Sequence, residues 1–583
     1  MKPIKTTTHK TSPQAKLAAV LVLLAAIVSF VLSLSYSGEN RKEYPELKYD
    51  QSLQAPECPV KGGFYADAFS LSLLPPASSK IYYTLDGSMP TLRSAVYEKP
   101  ILIQNRTNDP AVYSAIPTSA RWTPPLGDVF KGTVLRAISV SDDNKKSGEL
   151  IRTFFVDEKA GNRYTLPVIA LTVEPDDFFG YAKGIYVLGK NYEDKRDYIR
   201  KKLPLDLAWW EYPSNYLKRG DNSERPVHIE FFEPDGKPGF ESNAGARING
   251  NATRGFSQKS LRICFDGKYG QEQLEYPLFP GNPVSKFKSF ILRNGGNDWN
   301  KTMFRDAFMQ ALMKDSRVDV QDCRNAIVFI NGEYWGIHNI RERSDEDFLA
   351  AKYKLGRDSI VILEHGGIVA FGKKRDGDEF KALLDHIRNS DLSEEENYKY
   401  VLGKIDVSSF IDFVIANVYF CNSDWPNNNV KFWRYRANSP VADSSSSAKK
   451  KDGRWRWILY DTDWGFGYTG SASVHMDLLE KARKMGSTGV IFSGLLRNDT
   501  FREAFKERFL FLLDSTFNKE KVIAKIDEFE KELAPAMPEH IDRWRAIGSY
   551  SSWKENVKEM KDFAAERPAI QRKQLDEFLN KNR

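Results

Sequence analysis

Carboxylates and amides able to hold a divalent metal against phosphates cluster in the C-terminal half of this sequence. In FVIANVYFCNSDWPNNNVKFWRYR, Asp424 follows a strongly apolar helical run, and Asn427, Asn428 and Asn429 precede a strand. Further on, RWRWILYDTDWGFG ends an apolar strand on Asp461 and Asp463, ahead of Gly465 and Gly467. Phosphoryl transfer uses this order of residues. One carboxylate orients or deprotonates an acceptor hydroxyl, while an amide and a later carboxylate hold metal on the phosphates. Hard oxygen ligands suit magnesium or manganese better than zinc. The same residues are also compatible with a hydrolase using paired carboxylates, a structural calcium site or a plain turn.

Two further stretches carry complementary charge. GARINGNATRGFSQKSLRICF places Arg254-Gly255 in a turn, after which Lys259 and Arg262 lead into an alternating strand. Basic residues beside a Gly-containing turn suit polyphosphate, although a basic strand is more often simply solvated. The Walker spacing GxxxxGK[ST] is absent. In FINGEYWGIHNIRERSDEDFL, Asn331-Gly332 reads as a hairpin turn, and the following strand runs into Glu342. That carboxylate could orient a basic residue or help bind a cation; the plainer reading is a surface glutamate in a charged run. His338, His365, His475 and His540 are not spaced as a metal cluster. Cys58, Cys264, Cys323 and Cys421 include no CxxC pair, which argues against a zinc knot.

The elements that must position these residues follow from periodicity. Residues 62–157 alternate in short runs broken by Gly, Pro, Asn and Asp, the rhythm of a small β-sandwich. From Leu166 the pattern mixes strands such as RPVHIEFFEPDG with helices such as KTMFRDAFMQALMKD, which predicts α+β structure. Beyond Val490 it is almost entirely helical. NVKFWRYR and RWRWILYDTD read as paired strands separated by the polar insertion ADSSSSAKKKDG.

A hydrophobic fraction of 41% against 28% charged residues is a globular balance and excludes a largely disordered chain. The formal charge of +7 is spread along 583 residues with acids interspersed, which argues against a nucleic-acid partner. Lys2, Lys5, Lys10 and Lys16 precede the apolar run Leu17–Ser35. Its length and positive flank predict a signal-anchor, residues 1–16 being cytoplasmic and the large domain outside the cell membrane; cleavage and secretion are the alternative. Residues 36–61 read as a linker.

IYYTLDGSMPTLRSAVYEKPILI (Ile81–Ile103), with the later TVLRAISV, resembles the β-sandwich module named after the C-terminal domain of chitobiase, usually an accessory domain with a possible cell-wall glycan contact. LPVIALTVEPDDFFG, RINGNATRGFSQKSLRICF, FILRNGGNDWNKTMFRDAF, VFINGEYWGIHNIRER, NSDWPNNNVKFWR and WILYDTDWGFG, in that order, resemble the spore coat protein H (CotH) family of atypical protein kinases over 166–567, followed by a tail at 568–583. The resemblance implies a highly divergent protein-kinase-like α+β domain with a helical C-terminal part; the all-β sandwich and the one N-terminal transmembrane helix expected above precede it. It implies ATP with Mg2+ or Mn2+ and phosphorylation of Ser or Thr on surface or secreted proteins. By motif, Asp424 matches the catalytic-loop aspartate and Asn429 the asparagine that follows it. Asp461 matches the main metal ligand, with Asp463 second. Lys259 or Arg262 would contact phosphate, with Arg254 and Arg247 as further candidates, and Glu342 would be the helper carboxylate. The turn reads RGFSQ where the family commonly has RGNSS, and Asn428-Asn429 stands where it often has His-Asn. An inactive surface protein that keeps the fold is the alternative.

Overall fold

The computed structural model describes residues 45–202, 207–436 and 450–582. The N-terminal sandwich is built on β1 (Ser79–Thr84), β2 (Thr133–Ser141) and β3 (Lys145–Val156). β2 pairs antiparallel with both β1 and β3. Ile81, Leu135 and Phe154 meet Leu71 and Ile103 in its own small core.

Seven strands then close into a barrel. They are β4 (Val168–Val173), β5 (Arg225–Phe232), β6 (Pro238–Asn249), β7 (Ser260–Cys264), β8 (Ser289–Arg293), β9 (Cys323–Ile330) and β10 (Glu333–Arg341). The order is β5-β6-β7-β8-β10-β9-β4, and β4 returns to β5. Every neighbouring pair is antiparallel except β4 with β9. Asn331 and Gly332 turn β9 into β10 with φ of 47° and 81°, the left-handed pair expected of an Asn-Gly hairpin. Leu261, Ile263, Phe290, Leu292 and Ile340 fill the barrel. The two-residue strand period therefore sends Arg262, Ile291, Arg293 and Arg341 to its outer face.

That face meets the helical part. Helix α1 (Arg305–Leu312) packs beneath β8 and β10, and α2 (Val407–Tyr419) is buried from Ser409 onward. A four-stranded sheet runs in the order β12-β11-β13-β14. Its strands are β11 (Ile360–Glu364), β12 (Ile368–Phe371), β13 (Lys431–Tyr435) and β14 (Arg456–Ile458). The last helix, α3 (Tyr550–Lys581), delivers the fully buried Arg567 to the end of α2. There its guanidinium donates to the carbonyls of Val418 (2.9 Å), Tyr419 (3.1 Å) and Val474 (2.6 Å). A cation on the orphan carbonyls of a helix C-terminus offsets both the missing hydrogen bonds and the helix dipole.

The sandwich is fastened to the barrel by buried carboxylates. Glu333 accepts backbone N–H bonds from Val112 (2.7 Å), Tyr113 (3.2 Å) and Ser114 (2.6 Å). Glu230 accepts one from Thr153 (3.2 Å).

The expected cytoplasmic tail and membrane span, residues 1–16 and 17–35, lie outside the described residues. Among the described residues no helix is long and apolar enough to cross a membrane. The longest, α3, repeats Lys, Arg and Glu throughout and packs through one face. The expectations that included a span in the fold class, the membrane as a partner and the membrane as the location are corrected accordingly. The described architecture is a β-sandwich followed by an α+β unit, without a membrane-spanning helix.

Candidate functional site

Four of the residues singled out by sequence come together where α2 ends. The Asp424 carboxylate is held from both sides, accepting from Asn428 Nδ2 (2.7 Å) and Asn429 Nδ2 (3.0 Å). The same Asn429 amide donates to the backbone carbonyl of Asp461 (3.0 Å). One side chain thus ties the loop after α2 to the loop after β14. Asn429 and Asp461 both sit at positive φ, 58° and 53°. Asparagine and aspartate tolerate this region better than most residues. Lys481 donates to the Ser423 carbonyl (2.8 Å), placing a cation beside Asp424.

The Asp461–Asp463 segment is pinned from the barrel side. Arg293, the last residue of β8, donates from Nη2 to Asp461 Oδ1 (2.6 Å) and Asp463 Oδ2 (2.7 Å). Asn297 completes the hold on Asp463 through its backbone N–H (2.9 Å) and Nδ2 (3.0 Å). Thr462 donates its N–H and hydroxyl to Asp306 Oδ1, both at 2.8 Å. Arg341 pairs with the other Asp306 oxygen at 2.8 Å. Burial alone would raise the Asp306 carboxyl, but Arg341, Arg293 and Thr462 hold it down to about 2. Asp463 goes the other way: burial, with Asp461 next to it, pushes its carboxyl up.

Arg293, Asn297 and Asp306 were given no role from sequence, although all three lie inside FILRNGGNDWNKTMFRDAF. The available signal was an arginine ending an alternating apolar strand, followed by Gly295-Gly296 with φ of 88° and 68°. Only a backbone free of Cβ turns there while approaching so closely: a Cβ on Gly296 would collide with Asp463 and with Arg293 itself.

The basic candidates separate. Lys259 is fully buried, and its ammonium is spent on the carbonyls of Arg254 (2.8 Å) and Phe256 (2.7 Å). Burial, with Arg254 nearby, lowers its pKa well below the usual lysine value. Arg254 is 7% exposed and donates to the carbonyls of Gly250, Tyr216, Lys218 and Ile248. Both tie the 250–260 loop to the barrel, and neither reaches the cluster. Arg262 and Arg247 face each other on adjacent strands, and Ile291 separates Arg262 from Arg341 on the same transverse row. Arg262 Nε is buried without a hydrogen-bond partner among the described residues, Arg247 is paired with Asp221 (3.0 Å), and both arginines line an open cavity of about 480 Å³ whose wall also carries acids. A second cavity of about 300 Å³ shares Lys288 and Asp347 with it. Glu342 borders that second space, where burial pushes its carboxyl up to about 7. It accepts from the N–H of Asp322 (2.8 Å) and from Asn282 (3.2 Å), and so stands away from the aspartate cluster.

No group of three or more His, Cys, Asp or Glu able to cage a metal occurs among the described residues. The cluster nevertheless offers hard oxygen donors. Asp461 is 37% exposed at its side chain, and its Oδ2 meets no protein donor among the described residues. Asn429 has committed its NH2 and keeps Oδ1. Such a partial set fits a divalent ion whose remaining positions are filled by phosphate oxygens and water.

Comparison with known families gives two matches. The family described as CotH kinase protein matches residues 246–570, more than half of the chain. The family described as Fn3 associated matches residues 74–154. The second match corrects the chitobiase resemblance. Short strands joined by an Asp-Gly turn and bounded by Pro are shared by many small sandwiches, and no chitobiase-like module is indicated. A comparison with curated proteins returned no match.

Proposed function

The chain belongs to the CotH kinase protein family, and from that premise we propose that it is an atypical kinase that transfers phosphate from ATP, with Mg2+ or Mn2+, to a Ser or Thr hydroxyl of a protein. The observation that carries this reading is the Asn429 amide, which joins the Asp424 carboxylate to the backbone of Asp461. It brings a proton acceptor within one side chain of a candidate metal ligand.

Asp424, fixed by two amides, orients the acceptor hydroxyl and takes its proton as the new O–P bond forms and the bond to the leaving ADP oxygen breaks. Asp461 and Asn429 would hold the divalent ion, with Asp463 buried behind them as the support for Asp461. When bound, the ion would neutralise and orient the phosphates. Of the two arginines on the barrel's outer face, Arg262 is the better phosphate candidate, because its Nε has no partner among the described residues whereas Arg247 is paired with Asp221 (3.0 Å).

Calorimetry tests the reading on the folded protein. ATP with Mn2+ should bind the wild type, and Asp461→Ala should abolish the metal-dependent part of the affinity. A well-folded wild type that binds no ATP with either metal would overturn the kinase reading and favour an interaction protein.

A further inference from the structure

On the kinase reading the aspartate cluster needs a cation for the phosphates beside the metal, and Arg262 lines a cavity that includes none of Asp424, Asn429, Asp461 or Asp463. Lys259 and Arg254 have their donors committed to carbonyls. Arg341 is buried against Asp306. Arg293 differs from all three. It is the one of these cations that touches both Asp461 and Asp463, and it does so through a single terminal nitrogen. A guanidinium carries five N–H donors in a rigid fork. Nη1 makes no hydrogen bond among the described residues, and the side chain is 20% exposed. Arg293 is therefore held through Nη2, with Nε 4.0 Å from Asp306, and keeps Nη1 without a partner among the described residues.

Resting on the kinase reading above, we infer that Arg293 is a phosphate-binding residue of this site, anchored by Asp461 and Asp463 while its free nitrogen meets a terminal phosphate oxygen of the nucleotide. The arrangement also gives Asp461 a division of labour, with Oδ1 bound to Arg293 and Oδ2 left for the metal. A lysine at 293 could not do both, since a single ammonium has no second arm.

The test compares wild type, Arg293→Lys and Arg293→Gln, each first shown to be folded by its thermal melt. Mn2+ alone is titrated by electron paramagnetic resonance, and Mn2+ with ATP by calorimetry. Loss of one charged hydrogen bond to phosphate should weaken Mn2+–ATP binding by about 10- to 100-fold in Arg293→Gln, and by less in Arg293→Lys. Mn2+ alone should bind Arg293→Gln no more weakly than wild type, because a competing positive charge has gone. Equal loss of Mn2+ and Mn2+–ATP binding would show that Arg293 only props up the carboxylates, and unchanged Mn2+–ATP binding would show no phosphate contact; either result overturns the inference. A wild type that binds Mn2+ but not ATP would instead remove the kinase reading, and the inference with it.

Discussion

At the scale of single residues, the candidate site depends on what is absent as well as on what is charged. Gly296 makes room for the Arg293–Asp463 contact and adopts a φ of 68°. Gly296→Ala should therefore be destabilising on two counts, left-handed strain and displacement of a buried ion pair. The expected cost is about 2–4 kcal/mol in chemical denaturation, larger than that of an ordinary surface Gly→Ala change. A near-neutral substitution would mean that the turn relaxes freely and does not fix Asp463. The aspartates and Asn429 were legible in the sequence because a carboxylate, an amide and a second carboxylate occupy two loops behind apolar elements. Lys259 was a candidate because a lysine beside a Gly-containing turn looks the same in sequence whether its ammonium faces a ligand or, as here, two carbonyls of its own loop. Only burial separates the two cases. Arg293 was missed for the converse reason: nothing local distinguishes a strand-end arginine that is solvated from one aimed at carboxylates 168 and 170 positions away.

At the scale of elements, strand alternation was the reliable signal. It gave the sandwich rhythm, the Asn331-Gly332 hairpin and the pairing of β13 with β14, which the structure shows to be antiparallel. Closure of seven strands into a barrel was not legible, since it depends on β4 pairing with β9 and no local pattern encodes that choice. The junction of β5 with the sandwich has a measurable signature. Burial pushes the Glu230 carboxyl up to about 7, only partly opposed by the Thr153 N–H and Arg152, with Glu241 adding to the rise. A carboxyl raised above its unfolded value of about 4.3 stabilises fully below that value, and the contribution is lost as pH rises through about 7. The wild type should thus lose melting temperature relative to Glu230→Gln as pH rises from about 4.3 to about 7, with no further divergence above that. The difference between the two proteins is the quantity to follow, because His228, held down by burial on the same strand, acts in the opposite direction in both. Parallel pH profiles would place Glu230 in a wetter setting than the structure shows.

At the scale of the whole molecule, the Fn3-associated module is part of the folded unit rather than a bead on a string. Three backbone N–H groups of residues 112–114 end on the single carboxylate of Glu333, itself 4% exposed. Glu333→Ala would remove the partner of all three, at about 1–3 kcal/mol for each of the two buried donors, Tyr113 and Ser114. Wild type should melt in one calorimetric transition, and Glu333→Ala should melt lower, by roughly 3 kcal/mol or more in stability. Two independent transitions in the wild type would contradict this coupling.

The parallel seam between β4 and β9 also governs when the protein can become a protein. Ile327 pairs with Val168 across most of the barrel sequence, and Ile337 of β10 gives its N–H to His540 (3.0 Å), which arrives two hundred residues later still. Such distant partners make loop closure slow and leave strand edges open in the meantime. During synthesis the half-built barrel presents an unpaired β4 edge until residue 330 has emerged, and it stays uncapped until residue 540 does. The nascent chain is therefore the state most exposed to aggregation and most in need of chaperones, whereas the finished barrel has no edge left to offer.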